Sequence, residues 1–136
     1  MATHIHDVPG GHTFSKTLRA HAAATATEKA MIFRAPFRCK VRSVVIVWDA
    51  AITGQDTNTT HINLQNGGAA GAGTTELANI DYVSGTDAVA LADTSLYAPD
   101  TYLSLAAGER LVLQWEKVST GLDIPAGTAI VTYEGS

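Results

Sequence analysis

Several stretches of this sequence alternate apolar and polar side chains with a period of two. Leu111, Leu113 and Trp115 alternate with Val112, Gln114 and Glu116. Ile62 and Leu64 alternate with His61, Asn63 and Gln65, and Ala129, Val131 and Tyr133 with Thr128, Ile130 and Thr132. A two-residue period turns one side of an extended chain toward a core and the other toward solvent, which is the pattern of a half-buried strand. The run Val44-Val45-Ile46-Val47-Trp48 is apolar on both sides. Such a strand is covered on both faces, either inside a sandwich or at a subunit interface. Turn residues punctuate these runs at Thr53-Gly54, Gly67-Gly68, Ser84-Gly85, Pro99-Asp100, Ala107-Gly108, Thr120-Gly121 and Pro125-Ala126-Gly127. No stretch carries a convincing amphipathic helical pattern. The reading is all-β, an antiparallel β-sandwich of about eight strands: 17–26, 29–34, 39–49, 60–65, 75–83, 87–91, 101–105 with 109–118, and 127–134.

The chain has 136 residues, enough for one domain, and it is 46% hydrophobic and only 16% charged. A domain of this size buries roughly two-thirds of its unfolded surface and folds without a metal or disulfide. The single cysteine rules out an internal disulfide and a Cys-cluster zinc site. No apolar run approaches the ~20 residues of a membrane-spanning helix. The polar start, residues 1–11, lacks the apolar centre of a secretory signal. Residues 1–27 read as an extended N-terminal arm and 28–136 as the sandwich domain. Ala20 to Thr27 are small residues without the bulk to form a core, and the alternation of Thr25 and Thr27 with Ala24 and Ala26 favours an extended form. Phe33, Val45, Val47, Leu64, Leu103, Leu111, Leu113, Trp115 and Val131 are the expected core, which leaves Val44, Ile46 and Trp48 as the expected oligomer interface.

Charge divides the chain unevenly. Residues 1–42 hold seven Lys or Arg and two acids, a balance of +5, whereas residues 43–136 hold two and eleven, a balance of −9. Four of the five histidines also precede residue 42. A basic N-terminal segment of this kind docks on an acidic surface, either a neighbouring copy's own acidic body or a separate partner. Lys16, Arg19 and His21 are the residues expected to make that contact.

The candidates for chemistry are sparse. His4, His6, His12 and His21 have the chemistry of transition-metal ligands, but they lie in or near a terminus, where a polar tail is the simpler reading. Cys39 stands between Arg38 and Lys40, which favours a thiolate, yet Phe37, Cys39 and Val41 share one side of a strand and place the thiol in the core. The glycine-rich stretch 67–73 lacks the Lys-Ser/Thr and following helix of a phosphate loop. Asp81, Asp87, Asp93 and Asp100 are too far apart for one calcium loop. Aromatic residues are not interleaved with basic ones in the strands, against a stacking platform for single-stranded nucleic acid. No nucleophile, base and metal set emerges. The chain is therefore not expected to be an enzyme, to bind a metal, cofactor, nucleic acid, membrane or small-molecule substrate, or to have catalytic residues.

From about Glu28 to Glu134 the sequence resembles the small β-sandwich decoration, or cement, proteins of tailed-bacteriophage heads. The resemblance lies in Ala35-Pro36-Phe37 leading into Val41-x-x-Val44-x-Ile46, then Ala51-Ile52-Thr53-Gly54 and the glycine-rich loop. Leu105-Ala106-Ala107-Gly108-Glu109-Arg110-Leu111 and Gly121-Leu122-x-Ile124-Pro125-x-Gly127 follow. It implies a jelly-roll-like homotrimer on the outer surface of the virion, bound where major capsid proteins meet and reinforcing the shell. The long basic, His-rich N-terminus departs from that pattern. A jelly-roll ligand-binding module, such as the carbohydrate- or receptor-binding domain of a fibre, is the alternative.

Overall fold

The computed structural model describes residues 11–136. Among these the secondary structure is nine β-strands with no helix: β1 (His12–Leu18), β2 (Glu28–Arg34), β3 (Cys39–Trp48), β4 (Thr59–Gly68), β5 (Thr75–Asp81), β6 (Asp93–Tyr97), β7 (Leu103–Leu105), β8 (Arg110–Val118) and β9 (Gly127–Gly135). Two antiparallel sheets face each other. One runs β1-β9-β3-β6, with β7 also paired to β3; the other runs β2-β8-β4-β5.

Nesting explains this order. β4 pairs with β5, β3 with β6 and β7, β2 with β8, and β1 with β9. The chain is thus one long hairpin, rolled so that successive pairs alternate between sheets. β9 then meets β3, and β8 meets β4, to complete the two layers. That is the jelly-roll wrap. It leaves β1 and β2 as the edges on one side of the barrel-like sandwich, and β5 and β6 as the edges on the other.

The core lies between the sheets. Ile62, Leu64, Leu111, Leu113 and Trp115 from one layer meet Val41, Val44, Ile46, Trp48, Ala129 and Val131 from the other, all buried. One buried polar pair sits among them: Trp48 Nε1–H donates to the Tyr82 hydroxyl at 2.9 Å. Thr60 makes a second internal anchor, its hydroxyl donating to Leu122 O and accepting from Leu122 N, each at 2.9 Å.

Four expectations change. The inward face of β3 is the reverse of the one expected. Val44, Ile46 and Trp48 are fully buried inside this chain, so they do not form an interface, while Val45 and Val47 are half-buried on the outer face. A run apolar on both sides carries no alternation from which to tell the faces apart. Leu103 is likewise only half-buried, because β7 is a three-residue strand at the sheet margin. The strand expected at 87–91 lies at 93–97, and residues 82–92 form a loop. Finally, β1 spans 12–18 rather than 17–26 and pairs along its whole length with β9 of the same chain, within the stretch 1–27 expected as an arm. Residues 19–27 hold only an isolated bridge, His21 to Ile124, and a turn closed by Thr25 N–H on Ala22 O. Ala and Thr alternation supplies an extended backbone but no bulk to bury. His4 and His6 lie outside the described residues.

Candidate functional site: a basic groove between two sheet edges

The two edge strands β1 and β2 belong to different sheets, so no backbone ladder joins them and a groove runs along the opening. The register decides what lines it. Phe14, Lys16 and Leu18 lie opposite Val131, Ala129 and Gly127, all of which are buried. The same side of β1 that closes the core with Leu18 therefore carries Phe14 and Lys16 into the groove, because the edge strand extends past the cover of the other sheet. From the facing edge, β2 contributes Glu28, Lys29, Met31 and Arg34.

The groove comprises two adjoining hollows that share Lys16. The first, of about 290 Å³, is lined by Lys16, Thr17, Leu18, Arg19, Glu28, Lys29, Ala30 and Trp115. The second, of about 160 Å³, is lined by Phe14, Lys16, Met31, Ile32, Phe33 and Arg34. Phe14 packs edge-on against Phe33, ring centroids 5.9 Å apart, but stays 43% exposed; Met31 across from it is 45% exposed. At the other end His21, fully buried, stacks on Trp115 at 6.2 Å and holds Glu28, its Nδ1 lying 2.6 Å from Glu28 Oε1.

The electrostatics are one-sided. Lys16, Arg19, Lys29 and Arg34 are exposed, and among the described residues no carboxylate pairs with them. The one acid lining the groove, Glu28, is already engaged by His21. Trp115 forms part of the wall while its buried indole N–H has no partner among the described residues. The groove thus offers cations beside two exposed apolar side chains. That set suits an acidic segment with apolar side chains of its own. An inward-pointing lysine on an edge strand also discourages edge-to-edge strand pairing, so such a segment engages through side chains.

Of the sequence-predicted contact residues, Lys16 and Arg19 line the groove, and His21 acts from behind as the buried partner of Glu28. Phe14, Lys29, Met31, Arg34 and Trp115 were not anticipated as site residues. The alternation His12-x-Phe14-x-Lys16-x-Leu18 is the signal that exposes Phe14; nothing local marks the β2 residues, which the fold brings from the facing sheet.

A polar layer lies on the outer side of the β2-β8-β4-β5 sheet, with Asn63 and Gln65 themselves buried. Asn63 Nδ2 and Gln65 Nε2 both donate to Gln114 Oε1, at 2.9 and 3.2 Å. His61 Nδ1 stands 3.3 Å from Asp81 Oδ1 and 3.4 Å from Glu116 Oε1. No group of residues suited to hold a metal ion occurs among the described residues. Cys39 lies fully buried, as its strand position implied, and burial pushes its thiol up from the ordinary range.

Fold and site together define a jelly-roll β-sandwich with a basic, apolar-floored groove along one open side. No protein-family model matches the chain, and no curated protein does. Among solved structures it is similar to the crystal structure of FlhE, at 14% identity over 92% of this chain and 96% of that one, with a TM-score of 0.44. It is also similar to structures of infectious bursal disease virus. The Gx strain matches at 8% identity over 93% of this chain and 32% of that one (TM-score 0.39), and the Gt strain at 8% over 93% and 31% (TM-score 0.30). The chain spans about a third of each virus chain.

Proposed function

We propose that this chain is a structural docking module, not an enzyme, that binds the outer surface of a tailed-bacteriophage capsid as a homotrimer and reinforces the shell. The observation that carries this reading is the groove, where four exposed cations and two exposed apolar side chains line the opening between two edge strands. Phe14 leans on the core through Phe33, but the four cations have no carboxylate partner among the described residues. Exposed apolar side chains ringed by charge mark a place where another protein docks. The jelly-roll topology, used by capsid and lectin domains, and the sequence resemblance to decoration proteins support the same reading.

Co-sedimentation with capsids tests it. The doubly reversed variant K16E/R19E should bind at least tenfold more weakly, about 1.4 kcal/mol. Binding by the natural chain should weaken as salt rises past physiological strength, where the Debye length is about 8 Å. A chain that fails to sediment with capsids at any salt concentration refutes the proposal.

A further inference from the structure

On the side of the sandwich opposite the groove, the crossover from β5 to β6 displays two apolar side chains. Val89 is 70% exposed and Leu91 73%, more than any other large hydrophobic residue described. Leu91 also has a φ of 61°, in the left-handed region that bulky side chains rarely enter. This loop is not loose. Ala88 and Ile52 exchange backbone hydrogen bonds at 2.9 and 3.0 Å, and Leu91 N–H donates to Trp48 O at 2.8 Å. Asp87 Oδ1 accepts from Gly54 N–H at 2.8 Å. Gly54 itself is pressed so closely that a Cβ there would lie 1.8 Å from Val83 O. The backbone is thus fastened in a strained form that holds Val89 and Leu91 out to solvent. Strain of that sort persists where surrounding structure enforces it, and it concentrates at binding sites.

The loop's charge is the counterpart of the groove's. Asp87 and Asp93 flank it, and the whole stretch 43–109 holds eight acids and no Lys or Arg. We infer that the loop 87–93 of one copy occupies the groove between β1 and β2 of the next. Val89 and Leu91 meet Phe14 and Met31, and the flanking aspartates face Lys16, Arg19 and Lys29. A chain cannot fill its own groove in this way. β1 and β6 are opposite edges of one sheet, separated by three strand spacings, roughly 14 Å. The contact joins two different patches, so it is heterologous. It closes into a ring when the rotation between copies returns to the start. The inference deepens the docking reading: the groove is the contact between copies, and groove substitutions such as K16E/R19E weaken capsid binding through loss of the trimer's linked contacts. A fastened loop also loses little freedom on docking.

Sedimentation velocity on the full chain alone, over a micromolar concentration series without capsids, tests this separately from shell binding. The natural chain should self-associate, less tightly in high salt. V89D/L91D and K16E/R19E should each weaken association at least tenfold with circular dichroism unchanged. K16E/D93K, which restores opposite charges, should recover most of the loss seen in K16E. L91G separates docking from folding. Glycine relieves the left-handed strain, so thermal stability should hold or rise while association falls at least tenfold. A natural chain that stays monomeric overturns the inference, even if an acidic capsid peptide then binds the groove. So does an L91G or V89D/L91D chain that associates as tightly as the natural one.

Discussion

Replacing Tyr82 with Phe removes one oxygen atom from the centre of the fold. Tyr82 and Trp48 are both fully buried, and the phenol oxygen accepts the indole N–H at 2.9 Å. Phenylalanine keeps the ring and its packing, so little volume is lost. What changes is that the Trp48 N–H stays buried without an acceptor, at a cost of about 1–3 kcal/mol. The lower half of that range is expected, because the phenol hydroxyl no longer has to be desolvated. In a domain of this size about 1–2 kcal/mol corresponds to a fall of roughly 3–10 °C in Tm. Urea unfolding should give a lower midpoint with an unchanged slope, since the surface exposed on unfolding is the same. The effect should extend to the 82–92 loop. Gln55 N–H donates to Tyr82 O and Leu91 N–H to Trp48 O, so both amides should exchange faster in the variant. Stability within about 0.3 kcal/mol of the natural chain, with unaltered exchange at Leu91, would refute the claim that this pair anchors the loop.

Leu113 is fully buried between Ala30 and Leu64 in register, so Leu113→Ala should cost roughly 2–5 kcal/mol by chemical denaturation; a loss under about half a kcal/mol would mean the site collapses without a cavity. Thr60→Val keeps the shape but leaves Leu122 N–H and C=O without their hydroxyl partner. It should cost about 1–3 kcal/mol, with faster exchange at the Leu122 amide. Burial raises the pKa of the Tyr82, Tyr97 and Tyr133 phenols, that of Tyr133 also through nearby Cys39, and it raises that of the Cys39 thiol as well. These groups stay protonated in the fold after the unfolded chain has lost its protons, at about 8.5 for Cys and about 10 for Tyr. Their contribution to stability is therefore intact below about pH 8 and is lost as pH rises through about 9–10 and beyond; urea midpoints that stay level from about pH 8 to about pH 11 would contradict this.

The alternation of β4, β8 and β9 is written in the sequence, since a period of two needs only one buried face to be visible. It placed Leu64, Leu111, Leu113, Trp115 and Val131 in the core, where the structure has them. The turn residues set the strand spacing, and the charge count separated a basic start from an acidic remainder. β3 shows the limit of such reasoning. With apolar residues on both sides, only pairing with β9 and β6 decides that Val44, Ile46 and Trp48 point inward. Lys16 and Arg19 stood out as basic, but their partners in the groove did not. Lys29, Met31 and Arg34 come from the other sheet, and Trp115 reads from its own strand simply as core. Proximity across the open side follows from the rolling of nested hairpins, which sets β1 beside β2 and carries β5 and β6 to the far side. Local periodicity reports which face of a strand is buried. Which strand edges lie together, and so where charge and exposed apolar surface coincide, depends on contacts between residues distant in the chain, and only the tertiary structure decides those.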